Sequence, residues 1–212
     1  FFRFGSGGSP LFIKTNLHQN TLQVMADSKP QKKTSSKERM QKLLEDYNVP
    51  VPNAFSEKLE EKFQCFGCSL DNKYGLRMEA RSCPSLPNTL LCFIPPLDER
   101  FSSFPGIVHG GIISTIIDDS AFWTFFSQSQ QLALTVSLGV TFLSPCAIDT
   151  PIYALGSVTK EQKGKVEVKV EVMEGKKGRV LAEGVVKYVS PPEDKLKMVL
   201  GEVVEKFSKA NL

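Results

Sequence analysis

From His109 to Phe126 the chain carries apolar side chains on more than one helical face, with Asp118 and Asp119 as its only acidic residues. A surface helix of a globular protein shows a single apolar stripe, so a helix apolar nearly all round must lie buried. The wider stretch from Gly106 to Phe126 is hydrophobic enough to suggest a membrane span. His109, Asp118 and Asp119 interrupt it, however, and ionisable groups are expensive in hydrocarbon. The segment therefore reads as the core helix of a soluble fold with no membrane span.

The covering material is legible on both sides. Upstream, Leu76 to Arg81 and Thr89 to Ile94 read as short strands. Downstream, Leu132, Leu134, Val136, Leu138, Val140 and Phe142 alternate strictly, which is the period of a strand. Three further strands follow: Pro151 to Thr159; Val166, Val168, Val170 and Val172 alternating with Glu167, Lys169 and Glu171; and Arg179 to Val189. Gly164 and the segment 175–178 supply hairpin turns. The pattern predicts an antiparallel meander and an α+β fold. Before it, Met40, Leu43, Leu44 and Tyr47 mark a helix that Pro50 and Pro52 stop, and Phe55 to Phe63 forms a second short helix. After it, Leu196, Val199, Leu200, Val203, Val204 and Phe207 form the stripe of one amphipathic C-terminal helix. Its polar face mixes both charges, so it packs on its own domain rather than on lipid. The expected organisation is a flexible region 1–36, a helical extension 37–63, a central domain 64–190 and a C-terminal helix 191–212.

At 212 residues, 41% hydrophobic and 23% charged, the chain excludes collagen, a disulfide miniprotein and disorder throughout. A net charge of +3 implies no general affinity for nucleic acid. Five cysteines, sparse and odd in number, favour reduced thiols in an intracellular compartment. Phe1 to Gln23 holds Arg3 and Lys14, no acidic residue, and clusters of Gly and Ser. That composition matches an organelle-targeting presequence, mitochondrial or other; with Met25 as the start instead, the expected compartment is the cytoplasm.

The sequence from Pro105 through His109, Gly110 and Gly111 opens the buried helix. At about 100° per residue, Asp118 shares a face with Gly111, Thr115 and Phe122, while Ile113, Ile116, Ile117 and Ser120 point the other way. Asp119 swings about 100° from Asp118, so the two carboxylates cannot occupy one place. One face anchors the helix to the sheet; the other meets a subunit interface or a ligand cleft. On periodicity alone, His109 as a helix cap and the aspartates as rim groups explain the pattern as well.

His-Gly-Gly at the start of a long apolar helix, an acidic residue nine positions after the His, and antiparallel strands behind it resemble the hotdog-fold thioesterases, in particular their PaaI-like acyl-CoA thioesterase branch. Supporting stretches are Phe104 to Gly111, Thr135 to Pro145, and Cys65-Phe-Gly-Cys68 followed by Asn72, Gly75 and Leu76. The similarity spans about Gln64 to Val189. It implies an antiparallel sheet wrapped around one helix, assembled as a homodimer or a dimer of dimers, that hydrolyses an acyl-CoA thioester between subunits without cofactor. It further implies that the Gly110 N–H polarises the thioester carbonyl and that Asp118 acts as general base or as nucleophile. His109 orients the turn, and Thr135 is a hydroxyl contributed by the partner subunit. Gly111, Ser103 and Phe122 fall on the substrate side. Where several relatives have Asn or Gln before the His, this chain has Ser102 and Ser103, whose reach is shorter. A non-catalytic acyl-CoA binder and a hotdog dehydratase are the alternatives on the same fold.

Cys65 and Cys68 have the spacing of half a zinc site, with Cys83 and Cys92 as the remaining ligands. Those two are spread across strands, so packed thiols are the expectation, with no metal and a zinc-ribbon module as a distant rival. Lys160, Lys163, Lys165, Lys176, Lys177 and Arg179 sit at hairpin ends, where solvated turns explain them as well as contact with CoA phosphates does.

Overall fold

The computed structural model describes residues 34–207, so the expectations for Phe1 to Gln23 and for Met25 lie outside the described residues. The first element is α1, Ser36–Asp46, opened by a capping box in which Ser35 and Glu38 satisfy each other's main-chain N–H. Strand β1, Val49–Val51, follows, then α2, Ala54–Leu59, and a 3-10 turn over Glu60–Lys62. Next come β2, Glu79–Ser82, and β3, Thr89–Ile94, then a short ribbon of β4, Ser102–Phe104, and β5, Ile107–Val108. The central helix α3 spans Gly110–Ser129. Strands β6, Leu134–Phe142, β7, Ile152–Gln162, β8, Lys165–Glu174, and β9, Val180–Val189, precede the terminal helices α4, Glu193–Leu200, and α5, Glu202–Lys206. No helix among the described residues is long and apolar enough to cross a membrane.

Seven strands form one antiparallel sheet in the order β1-β2-β3-β7-β8-β9-β6. Only β7, β8 and β9 make the expected meander. Strand β6 precedes them in sequence yet lies at the far edge beside β9, because the chain leaves α3 at one side of the sheet and returns across it to β7. Alternation reveals that a segment is a strand but not its neighbour. Strand β1 was read only as a helix stop; it contains Pro50 and pairs with β2 at the opposite edge, where a residue lacking an N–H is tolerated.

The sheet curls around α3, whose Ile113, Ile116, Ile117 and Ser120 are buried as the helical angle predicts. Val166, Val168, Val170 and Val172 of β8 point at the helix, and Glu167, Lys169 and Glu171 point away. Close approach depends on glycines at two crossings. A Cβ on Gly156 would stand 1.9 Å from Thr124 Oγ1, and one on Gly184 would stand 2.4 Å from Ile117 Cγ2. Gly184→Ala forces the helix off the sheet and is expected to cost about 1–3 kcal/mol, read as a lower urea midpoint with unchanged slope.

On the outer face of the sheet, α1 seals a second cluster of Met40, Tyr47, Cys83, Leu91 and Met173. Arg39 pairs with Glu171, and the Tyr47 hydroxyl lies 2.6 Å from Thr89 Oγ1. The C-terminal stripe is not one helix: Gly201, at φ +55°, breaks it between α4 and α5. Leu196, Val204 and Phe207 remain buried, whereas Val199 turns 65% exposed, because the bend ends the continuous helical face on which it was placed.

Candidate functional site

The start of α3 is built by His109. Its backbone is extended, its N–H donates to Phe101 O at 2.8 Å, and its ring Nδ1 accepts from the Gly111 N–H at 2.8 Å. The imidazole is thus the N-cap of the helix, using a ring lone pair where Ser or Asp would use an oxygen. His109 O accepts from Ile112 N–H and Ile113 N–H. The Gly110 N–H has no acceptor among the described residues. It lies at the positive end of the helix dipole and lines a cavity of about 300 Å³ together with Ile107, Phe142, Leu143, Pro145 and Leu181. A single unpaired N–H in an apolar hollow at a helix N-terminus suits an oxygen that gains negative charge.

Two turns further on, the Asp118 carboxyl is half-buried and its Oδ1 accepts from Thr135 Oγ1 at 2.9 Å. Half-burial raises its pKa above the ordinary carboxyl value, and the Thr135 hydrogen bond pulls in the opposite direction. Thr135 lies opposite Tyr188 across the β6–β9 ladder, and the buried Tyr188 hydroxyl donates to the Asp118 main-chain oxygen at 2.8 Å. Two adjacent strands therefore grip the same helical residue. The register shifts between Thr135 and Ser137, a bulge of the kind that re-aims a side chain. The hydroxyl expected from a partner subunit is supplied to Asp118 by its own chain. Tyr188 was missed by the sequence reading; a tyrosine near a strand end carries no local signal of a helix lying above it.

The other expected residues divide. Ser103 is exposed on β4 and its hydroxyl makes no hydrogen bond among the described residues, while Ser102 Oγ is spent on Glu99 O at 2.7 Å. Phe122 stacks on Phe126 with ring centroids 5.5 Å apart and leans on Phe55 and Tyr188, inside an aromatic cluster beside Asp118. Gly111 has its N–H occupied by His109. Gly110 and Asp118 are eight residues apart on one straight helix, so about 12 Å separates them along its axis. Within one chain they cannot touch the same carbonyl group.

Asp119 faces elsewhere, as its helical angle requires. Its Oδ1 lies 3.8 Å from Cys65 Sγ, and its Oδ2 is shut off from solvent without a hydrogen-bond partner. Burial, reinforced by the charge of Cys65, pushes its pKa up to about 8. Cys83 lies in the cluster on the outer face of the sheet and Cys92 in the inner core, so the four-cysteine set considered from the sequence is not assembled.

Strand β6 departs most from its pattern. Its alternation predicts a buried face, yet Val136 is 59% and Phe142 57% exposed. As the terminal strand of the sheet it has one unpaired edge, and nothing among the described residues covers its outer apolar side chains.

Comparison with known proteins agrees with this architecture. Residues 105–181 match the sequence model of the thioesterase superfamily. Over 99 residues the chain is 23% identical to mouse acyl-coenzyme A thioesterase 13, covering 46% of this chain and 70% of that protein. The fold is similar to the crystal structure of zebrafish thioesterase superfamily member 2, with a TM-score of 0.52 at 17% identity, over 65% of this chain and 93% of the other. The matched region begins at the turn before His109, includes all of α3 and ends in β9, one of the two strands that hold Asp118; over it the chain is similar to the thioesterase superfamily, and its fold is the hotdog fold.

Proposed function

We propose that the protein is an acyl-CoA thioesterase of the PaaI-like branch, releasing free acid and CoA from a site shared by two copies of the chain. The observation that carries this reading is the Asp118 carboxyl, half-buried and held by Thr135 Oγ1 at 2.9 Å where α3 meets the edge strand β6. A carboxylate kept basic in that setting takes a proton from water, or attacks the thioester carbon directly. The Gly110 N–H receives the carbonyl oxygen as it becomes an oxyanion. His109 holds the turn, its Nδ1 accepting from the Gly111 N–H.

The distance of about 12 Å along the helix makes a second copy necessary, with Gly110 of one chain facing Asp118 of the other. The exposed apolar edge of β6 is the surface for that pairing. Joining two β6 strands antiparallel would satisfy the free edge, cover Val136 and Phe142, and bring the Thr135–Asp118 pair to the junction. Phe142 already lines the cavity beneath Gly110 and would be part of the same seam. On the Asp118 side, a surface groove of about 510 Å³ includes Val136, Tyr188, Lys160, Lys165 and Lys187; Glu167 pairs with Lys160 and Lys187 there, which leaves a net positive lining for CoA phosphates.

The reading is tested by incubating the full chain with short, long and aryl acyl-CoAs and measuring free thiol. Stoichiometric release of CoA and acid from at least one class is expected. Saturable acyl-CoA binding with no thiol release across the panel would make the protein a non-catalytic binder and overturn the assignment. Hydration or dehydration of the acyl chain with the thioester intact would identify a dehydratase instead.

A further inference from the structure

The loop that carries Cys65 and Cys68 ends against a face of α3 turned about 100° from the one the proposed reaction uses. We propose that Cys65, Cys68 and Asp119 form a binding site for a zinc-class divalent cation that fastens this loop to the central helix.

Four observations carry the proposal. The two Sγ atoms and a carboxylate oxygen of Asp119 lie within 4.8 Å of one another. With Zn–S near 2.3 Å and Zn–O near 2.1 Å, tetrahedral ligands stand about 3.6–3.8 Å apart, so shifts of about an ångström at the side chains close the set. The Cys65 Sγ to Asp119 Oδ1 distance, 3.8 Å, already has that length.

Second, the Asp119 side chain is partly buried, and its Oδ2 is shut off from solvent with no hydrogen-bond partner. That oxygen points into the cysteine turn, since a Cβ on Gly67 would fall 2.2 Å from it. Third, among the described residues no basic side chain pairs with Asp119, although two thiols and a carboxyl share the space. Three acidic donors without a counter-charge are the composition of a cation site rather than of a salt bridge.

Fourth, the main chain of the turn that carries the two thiols is firmly held. Leu76 N–H donates to Phe66 O at 2.7 Å, Met78 N–H to Gly67 O at 2.9 Å, and Asn53 Nδ2 to Cys68 O at 2.8 Å. The turn is therefore pinned on both sides of Gly67, and Asp119 projects from a rigid helix. Two thiolates with one carboxylate match zinc and its borderline-soft relatives, and disfavour magnesium or calcium, which take oxygen donors. A water molecule or the second carboxylate oxygen completes the fourth position. The role is structural and separate from thioester hydrolysis, so it holds whether or not that reading does.

The experiment uses the full chain, purified under reducing conditions from cells supplied with zinc, with metal content measured by elemental mass spectrometry. About one zinc per chain is expected, retained in Cys146→Ser and lost in the Cys65→Ser, Cys68→Ser double variant. Metal-free protein titrated with Co²⁺ should develop the thiolate-to-cobalt charge-transfer band and intense visible bands of a tetrahedral site. Asp119→Asn, close to isosteric and able to fold if the double variant does not, should keep the thiolate band while weakening Co²⁺ affinity at least about tenfold. Absence of zinc together with absence of the cobalt band in the wild-type chain would overturn the proposal. So would zinc that survives the double substitution, an Asp119→Asn variant with unaltered affinity, or a Cys65–Cys68 disulfide in freshly isolated protein.

Discussion

Asp118→Asn is expected to abolish nearly all thiol release, with a fall in kcat of about 10²–10⁴-fold, while the thermal midpoint and the oligomeric state stay as in the wild type. Both halves of the expectation follow from the setting of the side chain. Asparagine keeps an oxygen that can accept from Thr135 Oγ1, so the clamp between α3 and β6 survives. It cannot take a proton from water or attack a carbonyl carbon. Replacing a half-buried carboxyl by a neutral amide also removes a desolvation penalty, which works against any loss of stability. The measurement pairs a thiol-release assay with thermal unfolding and sedimentation. A variant that hydrolyses at the wild-type rate would remove Asp118 from the reaction, and the proposed mechanism with it.

The second large effect concerns the main chain. Gly110→Pro deletes one N–H and leaves the helix able to form, because proline is well suited to the first helical position. His109 precedes it in an extended conformation, φ −64° and ψ 137°, as a residue before proline should. A Cβ there meets the Phe142 ring only at 3.4 Å, an ordinary contact. Loss of the oxyanion donor is expected to lower kcat by about 10²–10³-fold. Combining the two variants tests where the site lies. If Gly110 of one chain serves Asp118 of the other, random mixing of the two inactive proteins restores about a quarter of wild-type activity, since half the dimers are mixed and each has one intact site. If both groups acted within one chain, no mixture would recover anything. Fluorescently tagged subunits verify that exchange has taken place.

Much of this could be read from residue order. The central helix declared itself because its apolar residues occupy more than one face, which only burial satisfies. Valines alternating with charged residues placed β8 with its correct face inward, and the cap at His109 followed from its place before two glycines. The separation of Asp118 from Asp119 onto different faces needed nothing beyond 100° per residue, and the surroundings of the two carboxyls differ accordingly. The failures share a cause. Strand β6 has the alternation of an inner strand but lies at an edge, Val199 continues a stripe that Gly201 interrupts, and β1 contains a proline that reads as a stop. In each case the local period is real, and the neighbour or bend that decides burial is set elsewhere in the chain.

What the sequence by itself determined is therefore the kind and facing of the main elements: a buried helix opening on His-Gly-Gly, a carboxylate on each of two faces, and strands enough to enclose it. These depend on short-range geometry, the rise and turn of a helix and the pleat of a strand, which a window of ten residues contains. Tertiary structure alone decided which groups meet. It brought Thr135 and Tyr188 from two strands onto Asp118, closed the Cys65–Cys68 turn over Asp119, and left β6 with an exposed apolar edge. Those contacts join residues separated by between 17 and 70 positions, and no local preference encodes them. They arise because burying the apolar faces of α3 draws strands distant in sequence around it.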